Sequence, residues 1–351
     1  MPEKWILEDV GVEHNDIVGK KCANLGEMRR AGVPVPHGFA LSLDAYKKFM
    51  DETGALNKIV ESLKTFNADP DDLSHMERFD SKAETLREIV ESKKMPKAME
   101  KIIAGHYDRL CEKAGMADVP VAARSAGMAS HPGQYETYLY VRGTSDLMDH
   151  IIRVWSSTFN ARSMIARARA GAALATDPIG VAVLEMVDAK SAGVLFTLNP
   201  VNGDASKVSI GGNWGLGEAV VSGDVSNDQW LIDKVTFEII ERGIETKTRE
   251  YGFNPDAGGA GYRDIAAERR KQPCLVDEEI FELVKHAKKI EKYFGAPQDI
   301  EWVIDKRLPF PENVFFVQTR PETIWGKKEK KPILETKDQF GGYDIFSLLQ
   351  K

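Results

Sequence analysis

The sequence has few cysteines, no long apolar run and no excess of positive charge, and each shortage removes a class of protein. Its three cysteines, Cys22, Cys111 and Cys274, are odd in number and far apart. That excludes a disulfide framework and offers no zinc-ligand spacing. Such usage suits a reducing compartment, and a cytoplasmic location is expected. The longest apolar stretch covers 179–187, far too short to cross a bilayer. The leading MPEKWILEDV lacks the apolar core of a secretion signal. Lys and Arg number 47 against 54 Asp and Glu, a formal net charge of −7, so neither a nucleic-acid nor a membrane partner is expected. There is no solenoid repeat and no Walker A sequence. GNWGLGEAVVSG, at 212–223, misses the third glycine of the dinucleotide fingerprint.

What is present is an ordinary globular composition whose texture changes along the chain. Up to about residue 118 the apolar spacing is helical, over 21–31, 43–50, 56–65, 81–92 and 96–114. Gly32 is suited to close the first of these, and VPVP after it must be extended. From Pro120 onward, short β-like runs appear at 119–123, 137–141, 181–187, 192–197, 208–210, 229–233 and 238–241. One helix is expected over 145–173. A second, over 277–293, has acids in its first turn, where the helix dipole favours them. A glycine-rich loop is expected at 257–261 and a hairpin at 298–320. The pattern predicts an α+β chain divided as 1–118, 119–200 and 201–325, with a Lys-rich tail over 326–351.

Four segments hold residues suited to phosphate and metal chemistry. In the hairpin, period-two alternation puts Asp299, Glu301 and Val303 on one face, and Phe316, Gln318 and Arg320 on one face of the next strand. A turn centred on Pro309 and Phe310 pairs Glu301 with Gln318 and Asp299 with Arg320. Hard oxygens of this kind suit Mg²⁺, and a guanidinium suits phosphate. A surface ion pair beside a buried polar pair explains the same residues. In VGKKCANLGEM, Lys21 stands at a helix start, where the dipole disfavours a cation and free amides favour phosphate. An exposed first-turn lysine is the alternative. RSAGMASHPGQYET places Arg124, Ser125 and Gly127 where backbone amides can approach phosphate oxygens; an ordinary flexible loop is the other explanation, and His131 within it is read as solvated. In 212–223, Gly215 and Gly217 can turn tightly and bring Glu218 near a metal; a purely structural turn is the alternative.

Taken in order, VGKKCANLGEM, GVPVPHGFALSLDAYKKF, ARSAGMASHPGQYETYL, EMVDAKSAGVLFTLNP, NWGLGEAVVSGDVSNDQWLIDK, DIEWVID and VQTRPET resemble the nucleotide-binding region of the phosphoenolpyruvate synthase and pyruvate phosphate dikinase family. The resemblance covers roughly 5–325 and implies an ATP-grasp-like fold, with nucleotide in a cleft between subdomains. It implies ATP and Mg²⁺ as ligands. Lys21, Arg124 and Arg320 would act on the phosphates, with Ser125 and Gly127 beside them. Glu301, Asp299 and Gln318 would hold the metal. Leu184, Glu185, Met186 and Val187 would contact adenine, with Thr197 and Glu218 secondary. The chain departs from the family in reading Gly-Lys-Lys-Cys where GGKG or GGKN is frequent, and Leu184 where glutamine is frequent.

None of the seven histidines sits in a Thr-Ser-His carrier motif. A partner subunit bearing a phosphohistidine domain is therefore expected, with the β-phosphoryl of ATP passing to it and AMP and phosphate released. Such a division resembles phenylphosphate synthase and its free-standing β subunit, and implies phenol as the small acceptor. The alternatives are the ATP-binding piece of a phosphoenolpyruvate synthase or rifampicin phosphotransferase, or a non-catalytic nucleotide-sensing subunit.

Overall fold

The computed structural model describes residues 10–128 and 135–325. His131 and the tail over 326–351 lie outside the described residues. Two antiparallel sheets organise the molecule. The first comprises β1 (Gly38–Leu41), β2 (Val121–Ala126), β3 (Thr137–Val141) and β4 (Gly180–Glu185), in the order β1-β4-β2-β3. The second uses β5 (Ala189–Phe196), β6 (Lys207–Trp214), β7 (Asp228–Asp233) and β8 (Ile239–Gly243). A ribbon of β9 (Arg249–Asn254) and β10 (Gly259–Asp264) follows. The hairpin β11 (Gln298–Asp305) and β12 (Val314–Pro321) then completes the second sheet, in the order β12-β11-β5-β6-β7-β8.

Short helices α1 (Asn15–Val18) and α2 (Lys20–Arg30) open the described chain. They are followed by α3 (Leu43–Glu52), α4 (Ala55–Leu63), α5 (Met76–Glu91) and α6 (Lys97–Ala114). Local chemistry sets their ends. Ser42 caps α3 by accepting from the Ala45 amide at 3.2 Å. Gly32, at φ +66°, follows α2, and the Val33 amide reaches back to the Met28 carbonyl at 2.9 Å. Gly115, at φ +65°, ends α6.

The single helix expected over 145–173 is two helices, α7 (Thr144–Ser156) and α8 (Ala161–Arg169). Asn160 is the cause. Its backbone is extended, and its side chain accepts from the Ser163 amide at 2.8 Å, so it caps a new helix. α9 (Glu218–Ser222) and α10 (Asp277–Phe294) belong with the second sheet.

The first sheet is covered on both faces, and strand alternation sorts its residues. Val181 and Val183 of β4 enter a core with α3 to α8 that also holds Phe49, Phe79 and Trp155. Ala182 and Leu184 enter a second core with α2, α10 and the second sheet. The first core runs from Phe39 to Val183 and so crosses the expected boundary near 119. β1 explains this, because it lies among the early helices in sequence yet pairs with β4, Phe39 opposite Val183. The fold is α+β, with a deep cleft between the two sheets.

Candidate active site

The cleft encloses about 840 Å³. Its walls come from the start of α2, the end of β2, β3, the end of β4, α9 and the β11–β12 hairpin. Lys21 is placed by Gly19, the residue before α2. Gly19 has φ +83°, and a Cβ there would fall 2.0 Å from the Ala126 carbonyl oxygen, so only glycine fits. The Lys20 amide then donates to the Gly127 carbonyl at 2.9 Å. The helix bearing Lys21 is thereby fastened to the end of the strand bearing Arg124 and Ser125.

The hairpin has the register expected from alternation. Asp299 stands opposite Arg320 and Glu301 opposite Gln318. Beyond that point the pairing slips, with Trp302 opposite Phe316, so Val317 is an extra residue on β12. This bulge corrects one expectation. Phe316 does not share the face of Gln318; it is fully buried in the second core with Trp302. Bulges re-aim groups beside functional sites, and here Arg124 Nη1 donates to the Val317 carbonyl at 3.1 Å. Arg124 Nη2 reaches Glu301 Oε2 at 2.9 Å and Gln318 Oε1 at 3.4 Å. Arg320 holds Asp299 through Nε at 2.8 Å and Nη2 at 2.7 Å.

Electrostatics follow from crowding in the cleft. Burial and the nearby Arg124 lower the Lys21 ammonium to about 8, against the opposing pull of Glu301. Among the described residues no ion pair or hydrogen bond holds that ammonium. Burial works to raise Glu301, but Arg124 and Lys21 outweigh it and keep its carboxyl below the usual range. Burial raises Asp299 despite Arg320, and raises Glu218 despite Arg124 and Lys21. Glu185 is also raised by burial, against Arg307.

A family model described as pyruvate phosphate dikinase, AMP/ATP-binding domain, matches residues 15–340. The chain belongs to this family. A probable phosphoenolpyruvate synthase of Staphylothermus marinus is 36% identical over 369 aligned positions, covering 97% of this chain and 44% of that protein. A probable phosphoenolpyruvate synthase of Methanothermobacter thermautotrophicus is 35% identical, covering 95% of this chain and 48% of that protein. The phosphoenolpyruvate synthase of Aeropyrum pernix is 32% identical and covers 93% of this chain and 43% of that protein. The chain thus spans under half the length of these relatives. Among solved structures, the ADP complex of the N5-carboxyaminoimidazole ribonucleotide synthetase purK aligns over 88% of this chain and 46% of that one. Its TM-score is 0.33 at 6% identity, too slight a likeness to carry weight.

Within this family member the cleft gathers nearly every residue singled out from sequence. Lys21, Arg124, Ser125, Gly127, Leu184, Glu185, Met186, Val187, Glu218, Glu301, Gln318 and Arg320 all line it. Asp299 joins them through Arg320. Thr197 is set apart: it is fully buried and absent from the lining, and its hydroxyl accepts from the Gln298 amide at 2.8 Å. Sequence reasoning passed over Asn24, one turn beyond Lys21, and the wall that leads into β3, with Tyr135, Glu136 and Tyr138. The helical spacing of Asn24 from Lys21 was a usable signal. The wall leading into β3 was not readable, because its anchors are distant: Tyr135 donates to Asp177 at 2.5 Å, and Arg87 holds Glu136 at 2.7 Å.

Among the described residues no group of three or more His, Cys, Asp or Glu could hold a metal alone. Magnesium takes one or two carboxylates and completes its shell with water and substrate phosphates. Glu301 and Gln318 offer such oxygens on the cleft wall, with Asp299 beside them. The residues present fit that ion when it arrives with a polyphosphate.

Proposed function

We propose that this chain is the nucleotide-binding part of a phosphoenolpyruvate-synthase-type phosphotransferase. One observation carries the reading. Two cations from one side of the cleft and a carboxylate–amide–guanidinium set from the other converge on a space large enough for a nucleotide. The family membership and the names of the relatives support the same choice.

In this reading Lys21, Arg124 and Arg320 bind the phosphates, and Glu301 and Gln318, with Asp299, hold magnesium. Bound there, the ion neutralises phosphate charge as it shifts during transfer. Adenine lies along 184–187. The amides of Glu185 and Met186 already donate to the His37 and Pro120 carbonyls at 2.8 Å. Base recognition therefore falls to the Val187 amide and to main-chain carbonyls of the segment.

The protein's own contribution is positioning and charge compensation. Lys21 and Arg124 fix the polyphosphate so that its β-phosphorus faces an entering histidine from a separate domain or subunit. The overall change is ATP, water and histidine to AMP, phosphate and phosphohistidine. The acceptor beyond that histidine is pyruvate in the reading the relatives favour; phenol draws no support from the relatives reported above. Incubation of the chain with a phosphohistidine-bearing partner and β-labelled ATP tests this. Acid-labile label on the partner histidine is expected. Release of ADP instead of AMP would exclude the dikinase-type reaction.

A further inference from the structure

We propose that Asn24 is a positioning residue for the cleft, acting through a buried hydrogen-bonded run that holds the strand of Gln318 and Arg320 against the helix of Lys21. The inference rests on the reading of the cleft as a Mg·ATP site.

Asn24 lies one turn beyond Lys21 on the same face of α2 and is only 8% exposed. Its Nδ2 donates to the Thr319 carbonyl at 2.9 Å. Thr319 sits between Gln318 and Arg320, so its side chain points away from theirs. Its hydroxyl donates to Gln298 Oε1 at 2.9 Å. The Gln298 amide in turn donates to Thr197 Oγ1 at 2.8 Å, and the Thr197 amide donates to the Gln298 carbonyl at 2.9 Å. Asn24, Thr319, Gln298 and Thr197 are all buried. They connect α2, β12, β11 and the end of β5, with Asn24 and Thr319 at the cleft wall and Gln298 and Thr197 behind it.

The need for such a run follows from topology. β12 is the edge strand of its sheet, so ladder bonds hold it on one side only. Its outer edge is tethered by three bonds of other kinds. The Phe316 amide donates to the Pro34 carbonyl at 2.9 Å, Arg124 donates to the Val317 carbonyl, and Asn24 donates to the Thr319 carbonyl. Arg124 is a phosphate ligand in this reading, and its tether is expected to loosen when nucleotide arrives. The Asn24 Nδ2 is committed to the Thr319 carbonyl, which lies between Gln318 and Arg320 on the strand. Removing its amide leaves the Thr319 carbonyl without that donor and the strand end free to shift. A shift of that kind spoils the geometry of the metal ligand Gln318 without emptying the cleft.

The test is calorimetric titration of ATP into the full chain, with Mg²⁺ and with EDTA, for wild type and Asn24→Ala. Asn24→Ala is expected to weaken Mg·ATP binding about tenfold while the EDTA affinity stays within about twofold. A purely structural role would lower both equally, and that result, or no change in either, overturns the proposal. Should Asn24→Ala fail to fold, Thr319→Val and Thr319→Ser decide. The Val variant keeps the volume and loses the hydroxyl, and a selective magnesium-dependent loss is expected that the Ser variant restores. Equal affinities for the two overturn the proposal. Wild type that binds no nucleotide in either condition removes the cleft reading itself, and the inference with it.

Discussion

Two lysines in this molecule meet burial in opposite ways. Lys247 is fully buried beside Asp228 at 2.6 Å, and that carboxylate is satisfied on both oxygens. The Glu245 amide donates to Oδ1 at 3.0 Å and the Cys274 amide to Oδ2 at 2.9 Å. Lys21 sits in the cleft beside Arg124, with its charge disfavoured and no fixed partner among the described residues. The first cluster is closed, and its worth is structural. The second is open, and a polyanion such as the proposed nucleotide would relieve its repulsion. A buried charge network is therefore no sign of a site by itself; incomplete compensation is the sign.

The comparison can be broken at either lysine. The largest effect is expected from Asp228→Ala, which leaves Lys247 buried without its carboxylate. Urea denaturation should show a loss of about 3–5 kcal/mol, and the remaining folded protein should bind nucleotide as before. Next is Lys21→Ala. Affinity for Mg·ATP should fall by roughly a hundredfold, about 2.7 kcal/mol. The melting temperature should stay level or rise, since a disfavoured charge is removed. Affinity losses for Asp228→Ala and stability losses for Lys21→Ala would reverse the assignment.

The pH dependence is smaller and has a definite sign. A phosphate binds the charged form of Lys21, and that form is present below about 8 in the folded protein. Affinity should hold below that value and fall by up to about tenfold per pH unit above it. Lys21→Arg should flatten the profile. Folding responds oppositely, because the unfolded lysine still holds its proton there, so this group adds stability as pH rises from about 8 toward about 10.4. The smallest effect concerns the hairpin. A double-mutant cycle of Asp299→Asn with Arg320→Ala should give a coupling of about 1 kcal/mol in stability, and additive changes would contradict the observed register.

Much of the cleft was legible because its parts are local. The hairpin register came from period-two alternation and the turn between two short strands. Lys21 and Arg124 stood out as cations at element ends. What escaped had distant causes. The Val317 bulge presents its carbonyl to Arg124, 193 residues away in sequence. The break before α8 turned on one asparagine cap within an otherwise helical pattern. The β9–β10 ribbon lacked strong alternation, and its glycines read as a loop. Its attachment is tertiary: the Leu216 amide donates to the Tyr251 carbonyl at 2.7 Å, and Phe253 packs edge-on against Tyr140 with ring centroids 5.2 Å apart. Thr197 lies behind the cleft, its hydroxyl accepting from the Gln298 backbone amide, a contact that follows from the β5–β11 pairing.

The bond from Asn24 to Thr319 spans 295 residues. Closing a loop of that length costs on the order of 5 kcal/mol in chain entropy before any local reward. The lysine helix and the hairpin are therefore joined at a high entropic cost, and both must be in place before the two halves of the cleft face each other. Nucleotide binding becomes a report on completed folding. During synthesis the chain stays blind to ATP until the second sheet has accepted its edge strand, so abundant nucleotide cannot trap an intermediate and instead stabilises only the finished molecule.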